Sequence, residues 1–379
     1  MKDIALLTKY YKNYNYGGVL QGYALKRVLE EKGYTVDIIS YDVYGNPNPV
    51  YPSIYAQCKQ YGPKSAINKI IEKSIGKLKF LIKDILNDRV SKFEDFMHYD
   101  TKEYNDSNLE ELNKEYRSFI SGSDQIWNPN AVRRLFLQGF VKKGKKKISY
   151  AASIGRNKLS KNECDILVPY IKDIDCLSVR EKTAKELLKE YIKSPIEVVL
   201  DPTLLLEKDQ WNEVCSEPVH NKKYALFYFF SDSKKIREKV IKFCNSKKID
   251  LVMIPYAKQQ FNFNDSKGPG IRINSVGPRE FVSAIKNADY VFTDSFHGAV
   301  FSIIYEKQFF VFERNKKEHV SMNSRLYDLL DDFDLNDRLI TFKDIEDINK
   351  KKDIDYKNVN SRKKELKNKS IEFLDKSLR

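Results

Sequence analysis

The sequence of 379 residues is poor in cysteine and histidine, the side chains on which disulfide frameworks and most metal sites depend. It has five cysteines, an odd number that includes no Cys-x-x-Cys pair, and only four histidines. This composition argues against a disulfide scaffold and against a zinc site. We interpret the cysteines as small buried apolar residues and expect no metal.

Long apolar runs are also absent. The apolar stretch near the N-terminus, Ile4–Thr8, has only five residues, too few for the hydrophobic core of a signal peptide. No window approaches the roughly 20 apolar residues that a membrane-spanning helix needs. Together these absences predict a cytoplasmic protein.

The signature motifs of several enzyme classes are missing as well. The chain contains no Walker P-loop, no Gly-x-Ser-x-Gly elbow and no His-Glu-x-x-His zinc motif. The glycine-rich stretch NYNYGGVLQGYAL at 13–25 does not follow the Gly-x-Gly-x-x-Gly pattern, so it gives no support for a dinucleotide site.

The composition is typical of globular proteins, with 41% hydrophobic and 13% aromatic residues. Short apolar segments alternate with amphipathic helices such as 17–33 and 183–193. The strand candidates are 4–8, 35–41, 118–124, 147–153, 176–181, 196–202, 224–230, 250–256, 289–295 and 309–313. Continuous apolar strands separated by helices predict parallel sheets that are covered on both faces.

Two such sets of strands predict an α/β protein with two doubly wound domains. A chain of 379 residues is too long for one ordinary core, and the polar segment 216–223 has the composition of a linker. We predict an N-terminal domain at 1–205 and a C-terminal domain at 206–355. A terminal helix within 356–379 could pack back on the first domain.

The charge is strongly basic, with a formal net charge of +14. Lysines cluster at 142–147, at 350–352 and in the C-terminal 361–379. These runs lack interleaved aromatic residues and match no nucleic-acid-binding module, so nucleic acid is not an expected partner. We interpret them as solvated surfaces; attraction to an anionic membrane is the alternative.

One segment, 64–97, interrupts the alternation of strands and helices. Its apolar residues recur at helical spacing, and its lysines fall on the opposite face. One interpretation is a long helix that covers the N-terminal domain. The other is a basic amphipathic helix that lies on the inner face of the cell membrane.

Polar turns follow several strand candidates, and ligands of doubly wound folds bind where parallel strands end. Gly17 and Gly18 follow the first strand at the start of a helix. Glycines there let a ligand approach the backbone and the positive end of the helix. The alternative is that they serve only the geometry of the turn.

A second polar turn, SGSDQIWNP at 121–129, contains Ser123, Asp124, Gln125 and Trp127. Polar planar groups beside an indole suit a sugar, because its hydroxyls need donors and acceptors and its C–H face stacks on aromatic rings. The alternative is that Asp124 caps a helix and Trp127 fills the core.

Two arginines, Arg180 and Arg325, lie at the starts of predicted helices. Arg180 lies where a strand turns into a helix, and arginine can hold a phosphate or carboxylate with two parallel hydrogen bonds. A surface ion pair with the adjacent Glu181 is the alternative. Arg325 lies at the start of an amphipathic helix and could face either an anion or solvent.

The stretch TDSFHGAVFS at 293–302 contains one of the four histidines, after an apolar strand and at the start of a helix. His297 can act as a general acid or base near neutral pH, and the helix N-terminus can attract an anion beside it. Asp294 could hold the ring in one tautomer. A structural role for the histidine is the alternative.

Taken together, the motifs NYGGVLQGYAL, SGSDQIWNP, SYAASIG, SVREKTAKELL, VLDPTLLL and TDSFHGAVFSIIYEKQFFVF resemble the polysaccharide pyruvyl transferase family, in the family's order. The resemblance implies a GT-B-like fold, in which two Rossmann-like domains face a cleft. It implies phosphoenolpyruvate as donor and, as acceptor, a sugar diol of an exopolysaccharide or cell-wall glycan or of its lipid-linked precursor. The products would be a cyclic ketal and phosphate, with no metal or other cofactor required.

The same resemblance implies roles for the residues above. His297, with Asp294, would be catalytic, because an acid must protonate the methylene carbon of the donor. The donor would be bound by Arg180, Ser295, Gly298 and Arg325, since its buried charges need partners. The acceptor would be bound by Gly17, Gly18, Ser123, Asp124, Gln125 and Trp127.

The chain departs from the family pattern at one position. Characterised members commonly have Arg-Leu-His-Gly where this chain has Ser295, Phe296, His297 and Gly298. Serine can donate a hydrogen bond to a phosphate but supplies no charge, so Arg325 or another cation replaces the arginine, or the donor differs. A glycosyltransferase that uses a nucleotide sugar and a non-catalytic glycan-binding protein are the alternative functions.

Overall fold

The computed structural model of the protein describes residues 1–43, 45–51, 83–231, 233–255, 269–314, 323–341 and 348–379. The chain divides into two units. Unit 1 comprises Met1–Phe80, Met97–Leu205 and Glu365–Arg379, and unit 2 comprises Leu81–Phe96 and Leu206–Lys364.

Unit 1 is built on a parallel sheet with the strand order β2-β1-β3-β4-β5-β6. The strands are β1 Lys2–Leu7, β2 Val36–Ile38, β3 Tyr116–Ser121, β4 Lys146–Ala152, β5 Cys176–Val179 and β6 Glu197–Val198. The last four residues of β1 are all buried, as expected for a strand that is covered on both faces. The helices of this unit are α1 Tyr16–Glu31, α3 Leu112–Glu115, α4 Arg134–Leu137, α5 Lys161–Lys172 and α6 Lys182–Lys189.

Unit 2 is built on a second parallel sheet, with the order β12-β11-β10-β7-β8-β9. Its strands are β7 Tyr224–Tyr228, β8 Asp250–Met253, β9 Ile271–Arg272, β10 Tyr290–Thr293, β11 Gln308–Phe312 and β12 Leu339–Ile340. The helices are α2 Lys83–Phe96, α7 Lys208–Asn212, α8 Lys234–Lys247, α9 Pro278–Lys286, α10 Phe296–Ile304 and α11 Ser324–Asp332. The predicted α/β class with two Rossmann-like domains is confirmed.

Helix α2 is part of the basic segment 64–97. Residues 64–82 lie outside the described residues. Within α2, both terminal guanidinium nitrogens of Arg89 donate to the Pro255 carbonyl at 3.2 Å, and Lys92 donates to the Ser275 carbonyl at 3.0 Å. These two cations therefore contact unit 2, whereas the sequence analysis assigned the segment to the N-terminal domain.

The chain ends in helix α12, Tyr356–Leu378, whose residues are shared between the two units. In unit 2, Asn360 donates to a Glu306 carboxylate oxygen at 2.9 Å. In unit 1, the Ser370 hydroxyl accepts a hydrogen bond from the Leu200 amide at 2.9 Å. No helix among the described residues is long and apolar enough to cross a membrane.

Each sheet has one position at which the strand order reverses direction. In unit 1 this position is at β1, which lies between β2 and β3, and in unit 2 it is at β7, which lies between β8 and β10. Connections leave such a position in opposite directions and open a crevice at the carboxyl ends of the strands, where ligands bind. The turns after β1 and β3 line this position in unit 1, and the turns after β7 and β10 line it in unit 2. We call these four turns the switch-point turns.

Candidate functional site

The turn from β10 into α10 is closed by its own side chains. Ser295 is the N-cap of α10, and its hydroxyl accepts a hydrogen bond from the Gly298 amide at 3.3 Å. The Thr293 hydroxyl donates to the Tyr228 carbonyl at 2.6 Å and accepts from the Ser295 amide at 3.0 Å. A Cβ at position 298 would lie 2.6 Å from the Thr293 hydroxyl, so this close approach requires glycine.

Asp294 holds the turn after β7 and makes no hydrogen bond to the imidazole. Its buried carboxylate accepts from the amides of Phe230 at 2.7 Å and Ser231 at 2.9 Å. Asp294 was predicted from the sequence to orient the His297 ring. Within the described residues, its partners are instead these two amides and Arg314, so it joins the ends of β7 and β10.

Arg314 is the residue of this site that the sequence analysis missed. Its Nε donates to the Asp294 carbonyl at 3.1 Å, and its guanidinium carbon lies 4.3 Å from the centre of the Phe230 ring. The Asn323 side chain pairs with both backbone groups of Arg314, at 3.2 Å and 3.3 Å. Among the described residues, the two terminal nitrogens of Arg314 make no hydrogen bond, and a quarter of the side chain is exposed.

His297 lies in the first turn of α10 and is 6% exposed. Its ring is 5.1 Å from that of Phe296. Arg325, in the first turn of α11, lies with its guanidinium carbon 6.0 Å from the centre of the same Phe296 ring. The turn after β10 thus brings together the histidine and one of the two arginines that sequence reasoning had selected for this site.

The other selected arginine, Arg180, is buried in an ionic cluster at the end of β5. Its Nε donates to a Glu181 carboxylate oxygen at 3.0 Å, and its NH1 donates to the Asp201 carboxylate at 2.7 Å. Burial alone would lower the pKa of Arg180, but the carboxylates of Glu181, Asp201 and Asp124 raise it above the ordinary value. The carboxylates that surround Arg180 oppose the approach of an additional anion.

This cluster ties four turns of unit 1 together. The Ser123 hydroxyl donates to Asp201 at 3.0 Å, and the Ser153 hydroxyl donates to Glu181 at 2.6 Å. All of these side chains are buried. Arg180 and Ser123 therefore position the carboxyl ends of β3, β4, β5 and β6, a different task from the predicted contacts with donor and acceptor.

Trp127 lies in the hydrophobic core of unit 1. It has no exposed surface, and its indole Nε1 donates to the Phe136 carbonyl at 3.3 Å. Stacking on a sugar needs an accessible ring face. The position of Trp127 therefore agrees with the alternative interpretation as a core residue and not with the predicted contact to a sugar.

Two residues of the same turn remain partly exposed. Asp124 has the left-handed backbone φ of 67°, and its carbonyl accepts from the Ser153 amide at 3.0 Å. The Gln125 carbonyl accepts from Lys9 Nζ at 2.6 Å, which joins the turns after β1 and β3. Asp124 and Gln125 are thus the members of the predicted acceptor set with accessible surface at this switch-point turn.

Gly17 and Gly18 are buried in the first turn of α1. The Gly18 amide donates to the Asn15 side chain, which caps the helix, at 3.2 Å. A Cβ at position 18 would lie 2.2 Å from the side-chain nitrogen Nδ2 of Asn13, so a larger residue there would displace that side chain. Within the described residues, no cluster of three or more His, Cys, Asp or Glu is placed to hold a metal ion.

The fold and the switch-point turns define an α/β protein of two Rossmann-like domains. Residues 15–316 match the sequence profile described as polysaccharide pyruvyl transferase. The chain therefore belongs to the polysaccharide pyruvyl transferase family, which is a family of enzymes. No curated protein matches the sequence.

Two solved structures illustrate the fold. The UDP-N-acetylglucosamine 2-epimerase from Rickettsia bellii is similar with a TM-score of 0.51 and 10% identity, over 100% of this chain and 97% of that chain. The S. aureus MnaA-UDP co-structure has a TM-score of 0.51 and 14% identity, over 97% of this chain and 88% of that one. At this identity the likeness shows the fold alone.

Proposed function

We propose that this protein transfers pyruvate from phosphoenolpyruvate to two hydroxyls of one sugar in a glycan, forming a cyclic ketal and releasing phosphate. The observation that carries the proposal is the grouping of His297, Arg314 and Arg325 around the first turn of α10. It joins an acid–base group to two guanidiniums at a switch-point turn of a chain that belongs to this family.

The charges of the donor support this assignment. Phosphoenolpyruvate carries a carboxylate and a phosphate, and arginine binds both groups through parallel hydrogen bonds. The positive N-terminal end of α10 adds to the potential at the same turn. In this chain Ser295 stands where other family members have an arginine, and Arg314 supplies the missing positive charge. Arg314 follows the neighbouring strand β11 and contacts Asp294, the residue before Ser295.

The reaction assigns a defined proton transfer to His297. As the imidazolium, it would give a proton to the methylene carbon of the donor, which makes the adjacent carbon electrophilic. A sugar hydroxyl would add to that carbon and return its proton to the now neutral imidazole. The bond to phosphate would then break, and the second hydroxyl would close the ring and release its proton to phosphate or solvent.

The polar side chains of unit 1 suit the acceptor better than the donor. The Arg180 cluster carries an excess of negative charge, which disfavours a phosphate. Asp124 and Gln125 offer an acceptor and an amide to hydroxyl groups. We therefore assign the acceptor to the switch-point turn of unit 1 and the donor to that of unit 2.

The test measures phosphate release from phosphoenolpyruvate in the presence of a panel of glycan diols, with the ketal identified by mass spectrometry. We expect release by the wild type and a loss of about a hundredfold in kcat/KM for Arg314→Gln. Arg117→Gln is the matched control, because Arg117 pairs with Asp3 at the amino end of the first sheet. No release with any acceptor, together with thermal stabilisation by a nucleotide sugar, would favour a glycosyltransferase instead.

A further inference from the structure

The loop that follows β1 carries an aromatic and charged cluster on the surface of unit 1. The rings of Tyr11 and Tyr99 meet edge to face, with centroids 4.8 Å apart and an interplanar angle of 65°. Lys12 Nζ lies 4.7 Å from the centre of the Tyr11 ring. One Glu103 carboxylate oxygen accepts from the Tyr11 hydroxyl at 2.6 Å and from Lys12 at 3.1 Å.

Both parts of this tyrosine cluster are anchored in the body of the unit. On the Tyr11 side, the side-chain Nδ2 of Asn13 donates to the Lys9 carbonyl at 2.7 Å, and Gly18 leaves the space that this side chain occupies. On the Tyr99 side, the Asp100 carboxylate accepts from Lys26 at 2.6 Å and from the Ile38 amide at 2.9 Å. The two rings are therefore held in place before any ligand binds.

The position of the cluster distinguishes Tyr99 from other surface tyrosines. Among the described residues, Tyr99, Tyr170 and Tyr191 are exposed to nearly equal extents, at 41%, 42% and 41%. Tyr170 and Tyr191 lie near the ends of helices that lead into β5 and β6, at the amino edge of the sheet. Tyr99 alone of these three contacts a switch-point turn, where ligands of this fold class bind.

We propose that Tyr11, Tyr99, Lys12 and Glu103 form a binding site for a pyranose ring of the acceptor glycan, which rests on the function proposed above. Exposed aromatic rings stack on the C–H face of a sugar. Lys12 can donate to a ring hydroxyl and Glu103 can accept from one. Both hydrogen bonds to Glu103 use one carboxylate oxygen, and the other accepts none from the described residues.

The charge of the cluster selects a neutral ligand. Lys12 and Glu103 carry opposite charges 3.1 Å apart, so their fields largely cancel. A phosphate or nucleotide would gain little from such a pair, whereas a polyol finds both donor and acceptor. The tyrosine cluster also supplies the accessible aromatic surface that the buried Trp127 does not.

Saturation-transfer difference NMR on the full chain tests the site without requiring turnover. The probes are the methyl glycosides of galactose, glucose, N-acetylglucosamine and N-acetylmannosamine. We expect saturation transfer to the ring protons of at least one probe, and about tenfold weaker binding to Tyr99→Ala. Tyr99→Trp keeps an aromatic face and should retain binding. Tyr191→Ala removes an equally exposed tyrosine at the opposite edge and should bind as the wild type does.

Absence of saturation transfer from every probe, or equal binding by wild type and Tyr99→Ala, overturns the pyranose site. The phosphate-release assay separates this failure from a failure of the proposed function. Release with an unchanged acceptor KM in Tyr99→Ala rejects the site and leaves the function standing. Tyr99-dependent sugar binding without phosphate release from phosphoenolpyruvate rejects the function and leaves a sugar-binding site.

Discussion

Arg314 Nε lies 3.1 Å from the backbone oxygen of Asp294 and 3.8 Å from its carboxylate. The same carboxylate accepts hydrogen bonds from the backbone amides of Phe230 and Ser231. One buried side chain therefore connects the ends of β7 and β10 with a partly exposed arginine that follows β11. The orientation of the proposed donor-binding cation thus depends on a residue that need not touch the donor.

Replacing Asp294 by asparagine should destabilise unit 2 by about 2 kcal/mol, because an amide cannot accept from both backbone N–H groups. Urea unfolding followed by tryptophan fluorescence measures the change. Asp289→Asn is the matched control. Asp289 accepts one hydrogen bond from the Tyr224 amide, at 3.0 Å and at the other end of the sheet, and the oxygen of an asparagine side chain can still accept it. Equal stability of Asp294→Asn and the wild type would contradict this account of Asp294.

Gly298→Ala should cost about 1–3 kcal/mol, because the new Cβ would lie 2.6 Å from the Thr293 hydroxyl. The double variant with Thr293→Ala removes the opposing atoms and should recover part of that loss. Thermal unfolding of both single variants and the double variant gives the coupling free energy. Strict additivity would show that the contact with Thr293 is not the reason for glycine.

Arg180→Met should destabilise unit 1 by about 3–5 kcal/mol at neutral pH, because it removes the guanidinium that donates to two buried carboxylates. In this variant the pKa values of Glu181 and Asp201 should rise, so the deficit should shrink as the pH falls and the carboxylates bind protons. Arg117→Met is the control, since an exposed pair contributes about 0–1 kcal/mol. A deficit independent of pH would contradict the electrostatic explanation.

Glu163 provides a second way in which the stability of the fold should depend on pH. Burial raises its pKa, but the Tyr51 hydroxyl, the Ser160 backbone and hydroxyl and the Arg156 guanidinium together lower it below the ordinary 4.5. A carboxyl with a lowered pKa stabilises the fold above its unfolded-state pKa, and this contribution is lost as the pH falls through the folded value. The stability difference between wild type and Glu163→Gln should therefore narrow in acid; a constant difference would refute this.

His297→Gln should reduce the rate of phosphate release by about a hundredfold or more, because general acid–base catalysis contributes that much. The measurement is single-turnover phosphate release with saturating phosphoenolpyruvate and an active acceptor. His220→Gln is the control, since His220 contacts Asp250 at the amino end of β8, at 2.8 Å. Full activity of His297→Gln would remove His297 from the mechanism even if the protein remained a pyruvyl transferase.

The fold was largely predictable because its strands are buried on both faces. Each of the ten strand candidates overlaps a strand of the two sheets, since continuous apolar runs mark parallel strands that are buried on both faces. The strands that were missed, β9 and β12, have two residues each and lie at the sheet edge. β6 is equally short and also lies at a sheet edge, but it was found because the longer candidate 196–202 contains it.

The site was predictable only in part. The turn 293–298 could be found because it follows a strand, but the contact between Asp294 and Arg314 depends on the pairing of β10 with β11. Arg314 directly follows the strand candidate 309–313, so the reasoning that selected Arg180 would have found it. The partner of Arg180, Asp201, lies beyond the next strand, and the sequence gives no sign that the two are in contact.

The ionic cluster around Arg180 also has a consequence for how two unlike substrates are kept apart. Glu181 and Asp201 around Arg180 give the ends of β5 and β6 a negative potential in unit 1, while Arg314 and Arg325 give the proposed donor site of unit 2 a positive one. A dianionic or trianionic donor is repelled by the first potential and attracted by the second. High concentrations of the proposed donor should then fail to compete with a neutral sugar in unit 1, so the proposed donor would not inhibit its own transfer.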